Sequence, residues 1–223
     1  MKSCKQIGIV LTTLGASLLC VAGAVAGPVV DVGGRIGVNV SSLAYGDMPN
    51  GITATSHTGY VVAGFVDLPF APMMSAELGL ALSERGGGVE GTLSLFGNDF
   101  TGKANARLLY LDIPLHLELS ASLPSARPYL KFGPQLGILL SAKAEVESAN
   151  LSQAQSEQDI KDDINDVDFQ IYLAGGLEFP VSIVHGFVEV GYAWGLADVF
   201  ADPDFAWLQS QSRVLTISAG VRY

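Results

Sequence analysis

Beyond residue 20 the sequence contains no cysteine. The two it has, Cys4 and Cys20, both fall within the first 26 residues. The remainder therefore has no disulfide framework, no thiolate metal site and no cysteine nucleophile. Charge is scarce: 15% of residues are charged, and the 12 basic residues are outnumbered by 22 acidic ones, for a net charge of −10. No basic stripe is present to neutralise phosphates, which excludes nucleic acid as a partner. After Ala26 no run of about 18 apolar residues occurs, so no helix is expected to span a membrane. Gly86-Gly87-Gly88 is not followed by a helix start and is no phosphate cradle. No metal-ligand cluster appears either, so no cofactor is expected.

What is present is apolar: 49% of residues are hydrophobic, and 26 are glycine. At the N-terminus Lys2 and Lys5 precede an apolar run from Ile7 to Ala22, and Ala24-Val25-Ala26 follows. A basic start, an apolar middle and an Ala-x-Ala site are the layout of a secretory signal peptide. Residues 1–26 are accordingly read as the signal and 27–223 as one domain. An uncleaved anchor is the competing reading, disfavoured by the cleavage site. A lipoprotein cut before Cys20 is disfavoured by bulky Leu18 and Leu19.

The dominant pattern after Ala26 has a period of two. From Leu109 to Leu119 the odd positions are Leu109, Leu111, Ile113, Leu115, Leu117 and Leu119. The even ones are Tyr110, Asp112, Pro114, His116 and Glu118. Such alternation places one face of a strand in an apolar medium and the other among polar groups, and its length suits a tilted membrane-crossing strand of about 9–11 residues. Similar windows run over 130–141, 169–179, 188–196 and 215–223, with weaker ones near 30–41, 58–68 and 73–83. Eight strands result, an even number as expected of single-chain bacterial barrels. Connections near 69–72, 120–127 and 180–185 are short, while those near 42–57, 84–102, 142–167 and 197–212 are longer and polar. The expected fold is all-β: an eight-stranded antiparallel up-and-down transmembrane β-barrel, with both termini on the periplasmic side.

The two faces fix which side meets lipid. The row of Leu, Ile and Phe would form an apolar belt far larger than an ordinary surface patch. The other row is Gly, Ala and Ser with scattered charges. Trp194, Tyr192 and Tyr223 fall near strand ends, where aromatic girdles sit. Pro114 and Pro134 lie inside strands, where each removes a ladder hydrogen bond, and a local bulge is expected where strands four and five bring them together on the periplasmic half.

The segments Tyr110-Leu111-Asp112-Ile113-Pro114-Leu115, Pro128-Tyr129-Leu130-Lys131-Phe132-Gly133-Pro134 and Ala174-Gly175-Gly176-Leu177-Glu178-Phe179 resemble the PorT-like outer-membrane β-barrel family. The resemblance implies a small barrel of the OmpA and OmpX type in the bacterial outer membrane. It carries no motif residue on which an activity could be transferred.

The polar row supplies the candidate site. Arg35, Arg107, Asp112, His116, Glu118, Lys131, Glu178 and Glu189 are read as a lumen network in which buried charges pair across strands. An acid–base cluster around His116 is the catalytic alternative, and no serine stands as an evident partner. Tyr223, ending the apolar row of the last strand, resembles the terminal signal read by the outer-membrane assembly machinery. The acidic stretch 142–167 lacks the glycine of a calcium loop. It is read as a solvated extracellular loop, with Ile160, Ile164 and Val167 at a spacing that would also suit a short amphipathic helix. The expected partners are outer-membrane lipid and, during biogenesis, the assembly machinery. The function that follows is a non-enzymatic outer-membrane barrel with a filled lumen. A lipid- or peptide-modifying barrel enzyme and a soluble lipocalin-like periplasmic barrel are the alternatives.

Overall fold

A computed structural model describes residues 30–45, 52–95, 98–148, 156–161, 164–199 and 210–223. The strands are β1 (Asp31–Tyr45), β2 (Ile52–Ala71), β3 (Met74–Leu95), β4 (Asn98–Ser120), β5 (Arg127–Ser148), β6 (Ser156–Asp159), β7 (Val167–Val181), β8 (Val184–Asp198) and β9 (Ser210–Arg222). Eight of them pair antiparallel with their sequence neighbours around a ring. The ring closes where β9 lies against β1, and β4–β5 completes the circuit. The ninth, β6, is a short strand that folds back on the outer end of β5, from Lys143↔Asp159 to Val146↔Ser156. The closing seam is long, with thirteen residues of β1 in register with β9, from Gly33↔Arg222 to Tyr45↔Ser210.

The alternation seen in the sequence is realised as two faces. Outward rows are exposed and apolar: Ile36, Val38 and Val40 on β1, Leu115, Leu117 and Leu119 on β4, Phe169, Ile171 and Leu173 on β7. Inward rows carry the charge: Arg35, Glu77, Asp112, Glu118, Lys131 and Glu189 are all buried. A water-soluble barrel needs the opposite arrangement, because exposed apolar rows on every strand would form one continuous patch. The lipocalin-like alternative therefore fails on the direction in which the strands face.

Lumen aromatics sit over glycines of the next strand. Phe65 pairs with Gly33, Tyr129 with Gly176 and Phe187 with Gly220. A methyl group on any of these glycines would lie within about 2.2–2.4 Å of the facing ring. Small residues thus make the room in which three rings meet edge to face, with Phe65–Phe187 centroids 5.9 Å apart and Tyr129–Phe187 6.5 Å.

Three expectations need correction. Pro114 and Pro134 do not produce a bulge. Pro114 pairs with Gln135, and the β4–β5 ladder skips 115–116 and 133–134 without changing register. A missing N–H removes a rung but inserts no residue, and Gly133 lets the backbones approach there, since a Cβ on it would lie 2.2 Å from the Leu115 carbonyl oxygen. The register shift falls instead at Leu109/Tyr110, opposite Leu139–Ser141, nearer the long-loop end. The stretch 84–102 is likewise no loop: β3 and β4 continue as one long hairpin to Leu95↔Asn98. In the acidic segment, β5 runs on to Ser148 and β6 pairs with it, and the described residues hold no α-helix there, with 3-10 geometry at Lys161 alone. Ile160 and Ile164 pack inward, against Leu43, Leu108, Tyr110, Leu139, Ala142 and Val199. That apolar cluster packs inside the barrel at the long-loop end.

Candidate functional site

Below the apolar plug the lumen is filled by three layers of paired charge. At the short-turn end Arg222, from the last strand, reaches across the barrel to Glu118 of β4 at 2.8 Å, and to Asp67 and Glu178 at 3.1 Å each. Arg127 joins Glu118 and Glu178 at 3.3 Å, and His185 lies 2.9 Å from Glu178. In the middle layer Arg35 pairs with Glu77, and with Glu189 at 2.8 Å. Lys131 binds the same two carboxylates at 2.7 and 2.9 Å. The Tyr129 and Tyr172 hydroxyls each donate to Glu189 at 3.0 Å. Phe65 offers its ring to Arg35, Lys131 and Arg222, which lie 5.0, 5.7 and 5.7 Å from its centroid. The upper layer is Arg85, 3.2 Å from Asp112 and 3.3 Å from Asp168, with its guanidinium 3.9 Å over the Tyr110 ring.

Each of Arg35, Arg85, Arg127, Lys131 and Arg222 serves at least two carboxylates, as needed where charge is removed from water. The elements explain how. Glu77, Lys131 and Glu189 stand on β3, β5 and β8, so the middle layer ties non-adjacent walls together rather than neighbouring strands.

Between the middle and upper layers lies a cavity of about 50 Å³, lined among others by Arg35, Ser83, Arg85, Asp112, His116 and Gln170. Polar walls and this volume suit a small group of waters. His116 is 2% exposed and stacks on Tyr172, with centroids 4.8 Å apart. Its Nδ1 is 3.6 Å from Glu77, and neither ring nitrogen has a hydrogen-bond partner among the described residues.

A closed antiparallel ring with a charged interior and an apolar exterior is a membrane barrel. The sequence profile described as outer membrane protein beta-barrel domain matches residues 29–201. The chain belongs to this outer-membrane β-barrel family. It is an integral protein of the bacterial outer membrane, and barrels of this kind place short turns in the periplasm and long connections outside. No curated protein matches it in sequence. Among solved structures it is similar to Neisserial surface protein A (12% identity, covering 86% of this chain and 95% of that one, TM-score 0.42). It is also similar to the attachment invasion locus protein Ail of Yersinia pestis (10%, 86% and 98%, TM-score 0.40) and to the outer membrane protease OmpT from Escherichia coli (9%, 91% and 99%, TM-score 0.42).

Of the residues read from the sequence, Arg35, Asp112, His116, Glu118, Lys131, Glu178 and Glu189 lie buried in this barrel's lumen. Arg107 does not: its side chain is 50% exposed at the extracellular rim, 3.6 Å from Glu84. It shares parity with Leu109 and Leu111, so the strand turns it outward. Tyr223 ends the lipid-facing row, its backbone bonded to Val32 in both directions at 2.9 Å. Sequence reasoning missed Glu77 and Arg222 as partners, although both stand on the polar row. It missed Arg85 because 84–102 was read as a connection, and Asp168 because it stands between the acidic loop of 142–167 and the strand read from 169.

Proposed function

We propose that this protein is a non-enzymatic, non-conducting outer-membrane barrel that acts through the surfaces it presents to lipid and to the cell exterior. The observation carrying this reading is the lumen itself: three layers of interlocked ion pairs under an apolar plug. A permeant solute would have to break buried pairs that tie opposite walls together. An enzyme acting on lipid or peptide would need His116 within reach of substrate, whereas the ring is enclosed by Tyr172, Glu77 and the cavity. The similarity of the three quoted segments to PorT-like barrels supports a place within that branch of the family. Residues 1–26 act in this reading as a signal peptide removed after Ala26, and Tyr223 as the terminal residue read by the assembly machinery before the barrel meets outer-membrane lipid.

Three measurements test this reading. In planar bilayers the folded protein should give no stable conductance steps, and large persistent steps would overturn the filled lumen. On gels the unheated protein should run apart from the heated one, as a closed barrel resists detergent. Extraction from membranes by salt alone would overturn the integral placement.

A further inference from the structure

The two ends of the lipid-facing belt stop differently. At the extracellular end the outward rows give way to polar and charged side chains one step beyond the last large apolar residue: Glu84 after Leu82, Arg107 before Leu109, Arg213 before Leu215. At the periplasmic end the rows run without a charge into the turns. The stretches are Leu68-Pro69-Phe70-Ala71-Pro72-Met73-Met74, Leu119-Ser120-Ala121-Ser122-Leu123-Pro124-Ser125-Ala126 and Phe179-Pro180-Val181-Ser182-Ile183-Val184. Turns that meet water ordinarily carry Gly, Asn, Asp or Ser. Here each tip presents a large apolar residue: Met73 is 57% exposed, Leu123 60% and Ile183 81%. The tight turn between β7 and β8 holds Ser182 at φ 58°, a conformation that favours Asn or Gly, yet Ser-Ile stands there. Phe70, Phe179 and Tyr223 ring the barrel at this end and are exposed. The ionisable groups nearest the turns, Arg127 and His185, stand on the lumen rows and contact Glu178, with side chains 30% and 55% exposed, so neither interrupts the outward rows.

We propose that the three periplasmic turns lie in lipid, with Met73, Leu123 and Ile183 inserted into the headgroup–acyl boundary of the inner leaflet. The apolar surface of the turns is continuous with the belt that already faces acyl chains, and no charged collar separates the two. The occupant is therefore the same lipid rather than a periplasmic protein. The barrel sits low in the membrane, with the polar ends of β3, β4 and β5 standing clear of the opposite leaflet.

Single-tryptophan reporters test this. Trp194 and Trp207 are replaced by Phe, and Met73→Trp, Leu123→Trp and Ile183→Trp are made one at a time, with Leu130→Trp as a control inside the belt. The folded barrel is reconstituted in phosphatidylcholine vesicles whose acyl chains carry bromine. Each turn reporter should emit to the blue of free tryptophan, show at least half the bromine quenching of the control, and resist aqueous acrylamide. Emission like that of free tryptophan, with strong acrylamide quenching and no bromine quenching at two or more turns, overturns the proposal and leaves the tips as a surface for a periplasmic protein. Because the readout is made on folded barrel, it is independent of whether the lumen conducts.

Discussion

Lys131 is the residue on which the middle layer turns. Its ammonium lies between Glu77 and Glu189 with no measurable exposure, and Glu118 stands 4.0 Å away. Replacing it by a Met of similar length leaves Arg35 as the one strong cation on two buried carboxylates, with the Tyr129 and Tyr172 hydroxyls still donating to Glu189. Breaking a buried pair from one side costs about 3–5 kcal/mol, so Lys131→Met should lower the urea midpoint of the reconstituted barrel markedly. His116 gives the contrast. With neither ring nitrogen within hydrogen-bond distance of a described residue, His116→Leu removes the stacking on Tyr172 and the 3.6 Å contact with Glu77, which keeps Arg35 and Lys131. Its stability should change by only about 1 kcal/mol, of either sign, in the same titration. A loss as large as that of Lys131→Met would mean that His116 holds the layer together after all.

At the scale of the strands, closure depends on the pairing of rings with glycines. Gly176 faces Tyr129, whose hydroxyl in turn binds Glu189. A valine at 176 would drive the ring out of its place and unseat that hydrogen bond. Gly176→Val should therefore reduce the fraction of heat-modifiable, closed barrel on gels, whereas Gly175→Val, turned to lipid with only loose contacts, should not. The alternation that makes these rows was legible in the sequence wherever one face meets lipid, as Leu109–Leu119 shows. It faded in β3 beyond Ser83, because Glu84, Gly86 and Gly88 supply no apolar outward row while the hydrogen-bond ladder continues. That is why β3 and β4 were read as ending near 83 and starting near 103, and why Arg85 went unnoticed. The charged lumen was readable as a class of residues, but its partners were not. Arg222 meets Glu118 across the barrel rather than along a strand, and parity alone carries no information on which wall faces which.

For the molecule as a whole, two unlike materials pack one tube: ion pairs toward the periplasm and an apolar cluster toward the exterior, with a small polar cavity below the uppermost ion pair. The plug rests on both barrel and loop, since Leu108 and Leu139 come from β4 and β5 while Ile164 and Val199 come from the connections above. Ser83 lies just beneath it, buried on the cavity wall. The chain lacks cysteine beyond residue 20, so a single thiol there reports on access alone. In barrel refolded from residues 27–223, Ser83→Cys should react slowly with a small charged methanethiosulfonate added from outside. Adding Leu108→Ala and Leu139→Ala removes two buried side chains from the plug and should speed labelling by about tenfold or more, equivalent to losing roughly 1.4 kcal/mol of the barrier. Conductance should stay absent in the same variant, because the pairs of Arg35, Lys131 and Arg222 still fill the tube below. Fast labelling with the plug intact would show that the loops leave the mouth open. Conductance on thinning the plug alone would show that the ion pairs below are no barrier.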